Sequence, residues 1–154
     1  VLNDYSERIC LMYGFQSEPT PLDQNNLSKL KTFGLRYPNF KLGFMDHSDG
    51  GSEEAFHLSL IAMGMGVSAI EKHLTLDRTL KIEDYVSGIA PEQFHQFVRL
   101  IQRYEPALGT GELDLSDLEK EYRHKAAKTA VALRDLKKSQ KIQMGSYLKQ
   151  MLLR

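Results

Sequence analysis

The feature that most limits the fold is an alternation repeated three times: a short apolar run, then a stretch with helical spacing. The runs are Ile9-Cys10-Leu11-Met12-Tyr13, Lys41-Leu42-Gly43-Phe44 and Val67-Ser68-Ala69-Ile70. Each is short, mostly apolar and bounded by polar or glycine-rich sequence, as a buried strand is. Leu22 to Tyr37, Ser52 to Gly66 and Pro91 to Tyr104 carry apolar residues at helical intervals; Phe94, Phe97, Val98 and Ile101 are the clearest stripe. Ser52 is a good N-cap, with Glu53 and Glu54 in the first turn, and Pro91 suits a first helical position. Strand–helix alternation with short connections predicts an α/β fold with a parallel sheet.

The chemistry gathers where the runs end. The second runs on into Asp46-His47, and the third into Glu71-Lys72-His73. Side chains alternate faces along a strand, so Glu71 and His73 share a face and Lys72 takes the other. An acid and an imidazole at the end of an apolar strand are costly to bury unless something binds them. The plainer alternative is a strand end that meets solvent. Parallel neighbours lie about 4.8 Å apart, so His47 and His73 are placed to converge on one ion.

Charge and composition exclude other classes. Twenty basic and twenty acidic residues balance, so nucleic acid is not an expected partner. Arg123 to Lys128 reads as a solvated face. The single cysteine, Cys10, forbids an internal disulfide or a cysteine-rich zinc module and reads as core packing. No apolar stretch is long enough to span a membrane, and none is expected to. The start, Val1-Leu2-Asn3-Asp4, has neither an initiator methionine nor a signal pattern, and reads as the interior of a longer protein. His57, His95 and His124 read as helix-surface residues. Ser48 and Ser52 lack the His–acid company of a hydrolase nucleophile. From Gly109 the character changes: Leu115 to Lys128 is a charged helical segment, and Thr129 to Leu133 reads as a strand. The divisions expected are 1–110, a linker at 111–128 and a second unit from 129 to 154.

A parallel sheet with polar groups at the strand C-termini suits either a (β/α)8 barrel or an open doubly wound sheet. No GxGxxG or GxxxxGK[ST] loop supports nucleotide binding. Pro19-Thr20-Pro21, Gly43-Phe44-Met45-Asp46-His47-Ser48, Glu71-Lys72-His73-Leu74-Thr75-Leu76-Asp77-Arg78, Asp84 and Ala107-Leu108-Gly109 follow in order. In these motifs and their spacing, over residues 9 to about 138, the chain resembles the N-acetylneuraminate (sialic acid) synthase family and its relatives in surface-polysaccharide synthesis. The stretch at 71–78 is the most specific.

The resemblance implies that the three strands are the last of a (β/α)8 TIM barrel, and that residues from about 129 begin a small SAF-like (antifreeze-like) β domain. It implies a cytoplasmic, homodimeric transferase that condenses phosphoenolpyruvate with an N-acetylated amino sugar. A divalent metal, typically manganese, polarises the aldehyde while water attacks C2 of the enolpyruvate. Metal ligands carry over to His47 and His73, catalytic roles to Glu71 and His73, and substrate contacts to Gln16, Asp84 and Arg78. Arg78 is read equally as an anion ligand or as a salt-bridge partner of Asp77 or Glu83. Asp46 is read as a supporting acid.

Some positions depart from the family pattern. Met45 stands where the family has a phosphate-binding serine, and a thioether cannot donate to phosphate. Gln16 and Glu18 replace an Asn and an aromatic, and Glu18 would repel a phosphorylated substrate. Tyr85 and Gly88 replace a His and a nearby Ser. The metal pair is kept while the surrounding ligand shell has changed. This predicts a divergent branch with another acceptor sugar or an altered use of phosphate; the alternative is a sugar- or metal-binding homologue without turnover.

Overall fold

The structure, a computed structural model, describes residues 2–132, 135–141 and 148–152. It divides into two units, one up to Thr110 and one from Gly111. The first holds the strands β1 (Cys10–Tyr13), β2 (Lys41–Asp46) and β3 (Ala69–Lys72), paired in that order and all parallel. The helices α1 (Ser28–Arg36) and α2 (Glu54–Gly64) connect them, and α3 (Pro91–Tyr104) follows β3. This is the α/β fold with a parallel sheet that the alternation predicts.

Alternation along β2 decides what each residue meets. Phe44, fully buried, joins Tyr13 of β1 and Leu30, Leu58 and Ala62 of the helices in one core cluster. Truncating a side chain so enclosed costs roughly 3–5 kcal/mol. A second cluster joins Ala55 of α2, Ile89 and Phe97, with Phe94, Val98 and Ile101 packed against it. The predicted stripe of α3 is therefore its buried face. On the other face of β2, Gly43 pairs in register with Met12. A Cβ on Gly43 would collide with the Met12 sulfur, so the thioether fills the space that the glycine leaves.

Four boundaries differ from those expected. Leu22 to Tyr37 is not one helix: a 3-10 turn at Leu22–Gln24 precedes α1. The buried Asn25 side chain donates to the carbonyls of Pro21 (3.1 Å) and Leu22 (3.5 Å), and Asn26 turns to φ 42°, which breaks the helical path. Ser52 does not cap α2. Its hydroxyl donates to Asp49 O at 2.8 Å, and the helix starts behind Glu53. β2 runs two residues further than expected, to Asp46, and β3 starts two residues later, at Ala69, because pairing begins at Gly43–Ala69.

The second unit contains α4 (Asp117–Ala126) and an antiparallel pair, β4 (Lys128–Ala132) with β5 (Leu148–Leu152). Ser116 and Glu119 form a reciprocal capping box at the start of α4. Part of the Ile142 to Arg154 stretch lies outside the described residues. No helix among the described residues is long and apolar enough to cross a membrane.

Candidate metal centre

The parallel register brings the C-terminal ends of all three strands to one edge of the sheet. Asp46 and Lys72 are paired residues of β2 and β3. The next residue on each chain is a histidine, so two successive rungs follow: Asp46 with Lys72, then His47 with His73.

The first rung is closed. Asp46 and Lys72 side chains are 0% and 1% exposed and 2.9 Å apart. Asp46 Oδ1 accepts from the Ser48 amide (3.0 Å) and hydroxyl (2.6 Å). Its Oδ2 accepts from the Ser59 hydroxyl and Lys72 Nζ, both at 2.9 Å. Lys72 also donates to Ala55 O at 2.8 Å and lies 5.6 Å from the Phe97 ring centre. Burial pulls the Lys72 ammonium below its ordinary pKa, and Asp46 opposes that fall. Asp46 lies on the same face of β2 as Phe44, against α2, so the pair sits behind the strand ends.

The second rung is open. The His47 and His73 ring centres are 4.9 Å apart, with planes inclined at 52°. His47 Nδ1 and His73 Nε2 are buried and have no hydrogen-bond partner. A buried polar atom left so costs about 1–3 kcal/mol. The rings are nevertheless held. His47 O accepts from the Thr20 amide (2.8 Å) and the Ser87 hydroxyl (2.9 Å), and His73 O accepts from the Ile89 amide (3.0 Å). Asp84 Oδ2 lies 3.4 Å from His73 Nδ1. A carboxylate there favours the proton on Nδ1 and leaves the Nε2 lone pair free to ligate.

Glu18, on the loop after β1, completes a trio. One ligand atom from each of Glu18, His47 and His73 lies within 4.8 Å of the others. The loop is folded there by Thr20, whose hydroxyl donates to Phe15 O (2.8 Å) and Ser17 O (2.9 Å). Loss of some solvation raises the Glu18 carboxyl above its ordinary pKa, and the nearby Asp84 adds to the rise; the two imidazoles act against it.

The other sequence candidates fall around this trio. Glu71 is exposed on β3 and contributes no atom to it, while Gln16 is exposed on the loop after β1. Arg78 donates to Asp49 Oδ1 (2.8 Å), Val86 O (2.8 Å) and Gly88 O (2.9 Å). Its acidic partner is thus Asp49; Asp77 instead caps the following 3-10 turn by accepting from the Thr79 amide. A Cβ on Gly50 would strike Gly88 O and Arg78 Nη1, so the loop after His47 needs glycine to lie against residues 86–88. At Gly88 a Cβ would press on the Thr75 side chain at 3.0 Å. Sequence reasoning did not bring Glu18 to the two histidines and missed Ser87 as the clamp on His47. For Glu18 the signal was available: it lies just past the end of the first strand, as the histidines lie past the second and third.

Two imidazoles with unpartnered nitrogens, beside a carboxylate, make a donor set that fits a divalent metal ion. Residues 1–113 match the sequence model of the NeuB family. A pseudaminic acid synthase of Campylobacter jejuni is 32% identical over 127 residues, 82% of this chain and 33% of that protein. An N,N'-diacetyllegionaminic acid synthase of Legionella pneumophila is 29% identical over 140 residues, 91% of this chain and 38% of that protein. The crystal structure of a sialic acid synthetase from Leptospira borgpetersenii, in complex with citrate, matches with a TM-score of 0.66 and 32% identity, over 74% of this chain and 39% of that one. The chain spans less than half the length of these relatives.

Proposed function

The chain belongs to the NeuB family, and from that premise we propose that it is the metal-holding part of a synthase that joins phosphoenolpyruvate to an N-acetylated amino sugar, giving a sialic acid-like product for surface polysaccharide. The observation that carries this reading is the pair of facing, buried imidazoles with unpartnered nitrogens at adjacent strand ends. His47 and His73 hold a divalent ion, which the family resemblance makes Mn²⁺. Such an ion supplies Lewis-acid polarisation of the sugar carbonyl. Asp84 fixes the His73 tautomer and, being 44% exposed, still presents an oxygen to a sugar hydroxyl. Glu71 shares the alternation of His73 and is placed to exchange a proton with a substrate at the strand ends. Arg78 holds the 49–50 and 86–88 loops together, and so shapes the rim of the site.

The three βα units are, in this proposal, the last of a (β/α)8 barrel. The apolar surface along both outer strands supports this: Ile9, Leu11, Phe33 and Phe40 line a groove beside β1, and Val67, Ile70, Val98 and Ile101 line one beside β3. Neighbouring βα units of a barrel cover such surface. The β4–β5 pair is the start of the small SAF-like domain, and the assembly is a homodimer.

The test incubates the full-length protein with Mn²⁺, phosphoenolpyruvate and a panel of N-acetylated amino sugars. Phosphate release with a nonulosonate product, abolished in His73→Ala, is the expected result. Mn²⁺ binding without turnover on any sugar would leave only the non-catalytic homologue.

A further inference from the structure

We infer that the Glu18 carboxylate is a third protein ligand to the ion, giving this chain a carboxylate–imidazole–imidazole centre with one ligand from the end of each strand. The inference rests on the reading of His47 and His73 as metal ligands and goes beyond it. Glu18 is the side chain that closes the trio.

Placement argues for a ligand rather than an accidental surface acid. His47 is 6% exposed and its Nδ1 has no partner; His73 Nε2 is likewise buried and unpartnered. One ring nitrogen of each histidine lies within 4.8 Å of a Glu18 carboxylate oxygen. The loop that carries Glu18 is tied to the site, since the Thr20 amide donates to His47 O at 2.8 Å. Donors on one such ion lie about 2.0–2.2 Å from it, so neighbouring donors stand roughly 3 Å apart. The present spread, up to 4.8 Å, closes if the exposed Glu18 side chain rotates inward. Asp84 Oδ2 lies 3.4 Å from Nδ1 of the same His73. One carboxyl and two imidazoles thus face one point, and the ion pairs of Lys72 and Arg78 among the described residues are made elsewhere.

Charge distinguishes a three-ligand centre from a two-histidine one. Two neutral imidazoles leave the ion its full double charge, and most of its coordination falls to water and substrate. A resident carboxylate removes one charge and one open position. The ion is then held before any substrate arrives, and by harder donors, which favours Mn²⁺ or Fe²⁺ over softer ions. Affinity in oxygen-rich sites follows the count of charged ligands.

Titration of Mn²⁺ into the protein without substrate, followed by calorimetry and by the loss of the free-ion paramagnetic resonance signal, tests this. Wild type should bind one ion. Glu18→Gln, a near-isosteric change at an exposed position, should weaken binding at least tenfold, and His47→Ala should abolish it. If Glu18→Gln binds as tightly as wild type while His47→Ala does not bind, the third ligand is refuted and the two-histidine reading survives. If wild type itself takes up no ion, both fall. Circular dichroism of each variant shows whether a loss of binding comes from misfolding. A folded Glu18→Gln with weakened binding supports the inference, and an unfolded one is replaced by Glu18→Tyr, read by the same criteria.

Discussion

Two rungs, one residue apart on the same two strands, have opposite character. Asp46 and Lys72 are buried with every charged atom bonded to a neighbour. His47 and His73 are held by their backbones but keep a bare ring nitrogen each. A folded chain that satisfies one polar rung so fully has no general difficulty in pairing buried groups. In the proposed reading, the nitrogens left open one step later are the ligands of an ion. The first rung builds the edge of the sheet, and the second uses it.

This contrast can be broken by experiment. The largest effect should come from Lys72→Met, which leaves Asp46 charged and buried without its cation. Unfolding in denaturant should show a loss of about 3–5 kcal/mol. A loss near zero would mean that the first rung is not structural. His47→Ala and His73→Ala should change the stability of the metal-free protein by only about 1 kcal/mol, since each removes an atom that has no partner. With Mn²⁺ at a hundred times its dissociation constant, wild type should gain about 2.7 kcal/mol. Both histidine variants should lose that gain, which thermal melts with and without the ion will show. Asp84→Asn should sharpen the contrast further: fold intact, Mn²⁺ affinity down about tenfold, because only the support behind His73 has changed.

The smallest effect lies outside both rungs, at Asp49. The Gly51 amide, then the Arg78 guanidinium, hold its carboxyl below the ordinary Asp value. Its contribution is complete above that ordinary value, about 3.9, and is lost as pH falls through the lower folded value. The carboxylate is 45% exposed, so solvent screening keeps the worth of the ion pair below about 1 kcal/mol. Asp49→Asn should flatten the acid limb of stability slightly, measured by denaturant midpoints below pH 5.

Much of this was legible in the chain, and the failures have physical causes. Parallel strands and an amphipathic α3 follow from period alone, because Phe94, Phe97, Val98 and Ile101 have one way to be buried together. The encounter of His47 with His73 follows from two strands ending alike. The break inside Leu22 to Tyr37 did not follow, because it depends on an Asn25 side chain competing for backbone carbonyls, which helical spacing does not register. Glu18 was judged by what it would repel rather than by where the loop carries it. That place is set by Thr20 reaching His47 O across 27 residues of sequence, a contact invisible to any local pattern. Arg78 found Asp49 rather than its sequence neighbours because Gly50 lets two distant loops touch.

The closed rung has a consequence for how the site responds to its medium. Dissolved ions weaken attractions between groups that water can reach, and barely touch those that it cannot. Asp46 and Lys72 lie out of reach, whereas Arg78 and Asp49 do not. Raising ionic strength should therefore loosen the rim first, while the two imidazoles keep their spacing, so that the grip on a small cation outlasts the shape of the mouth around it.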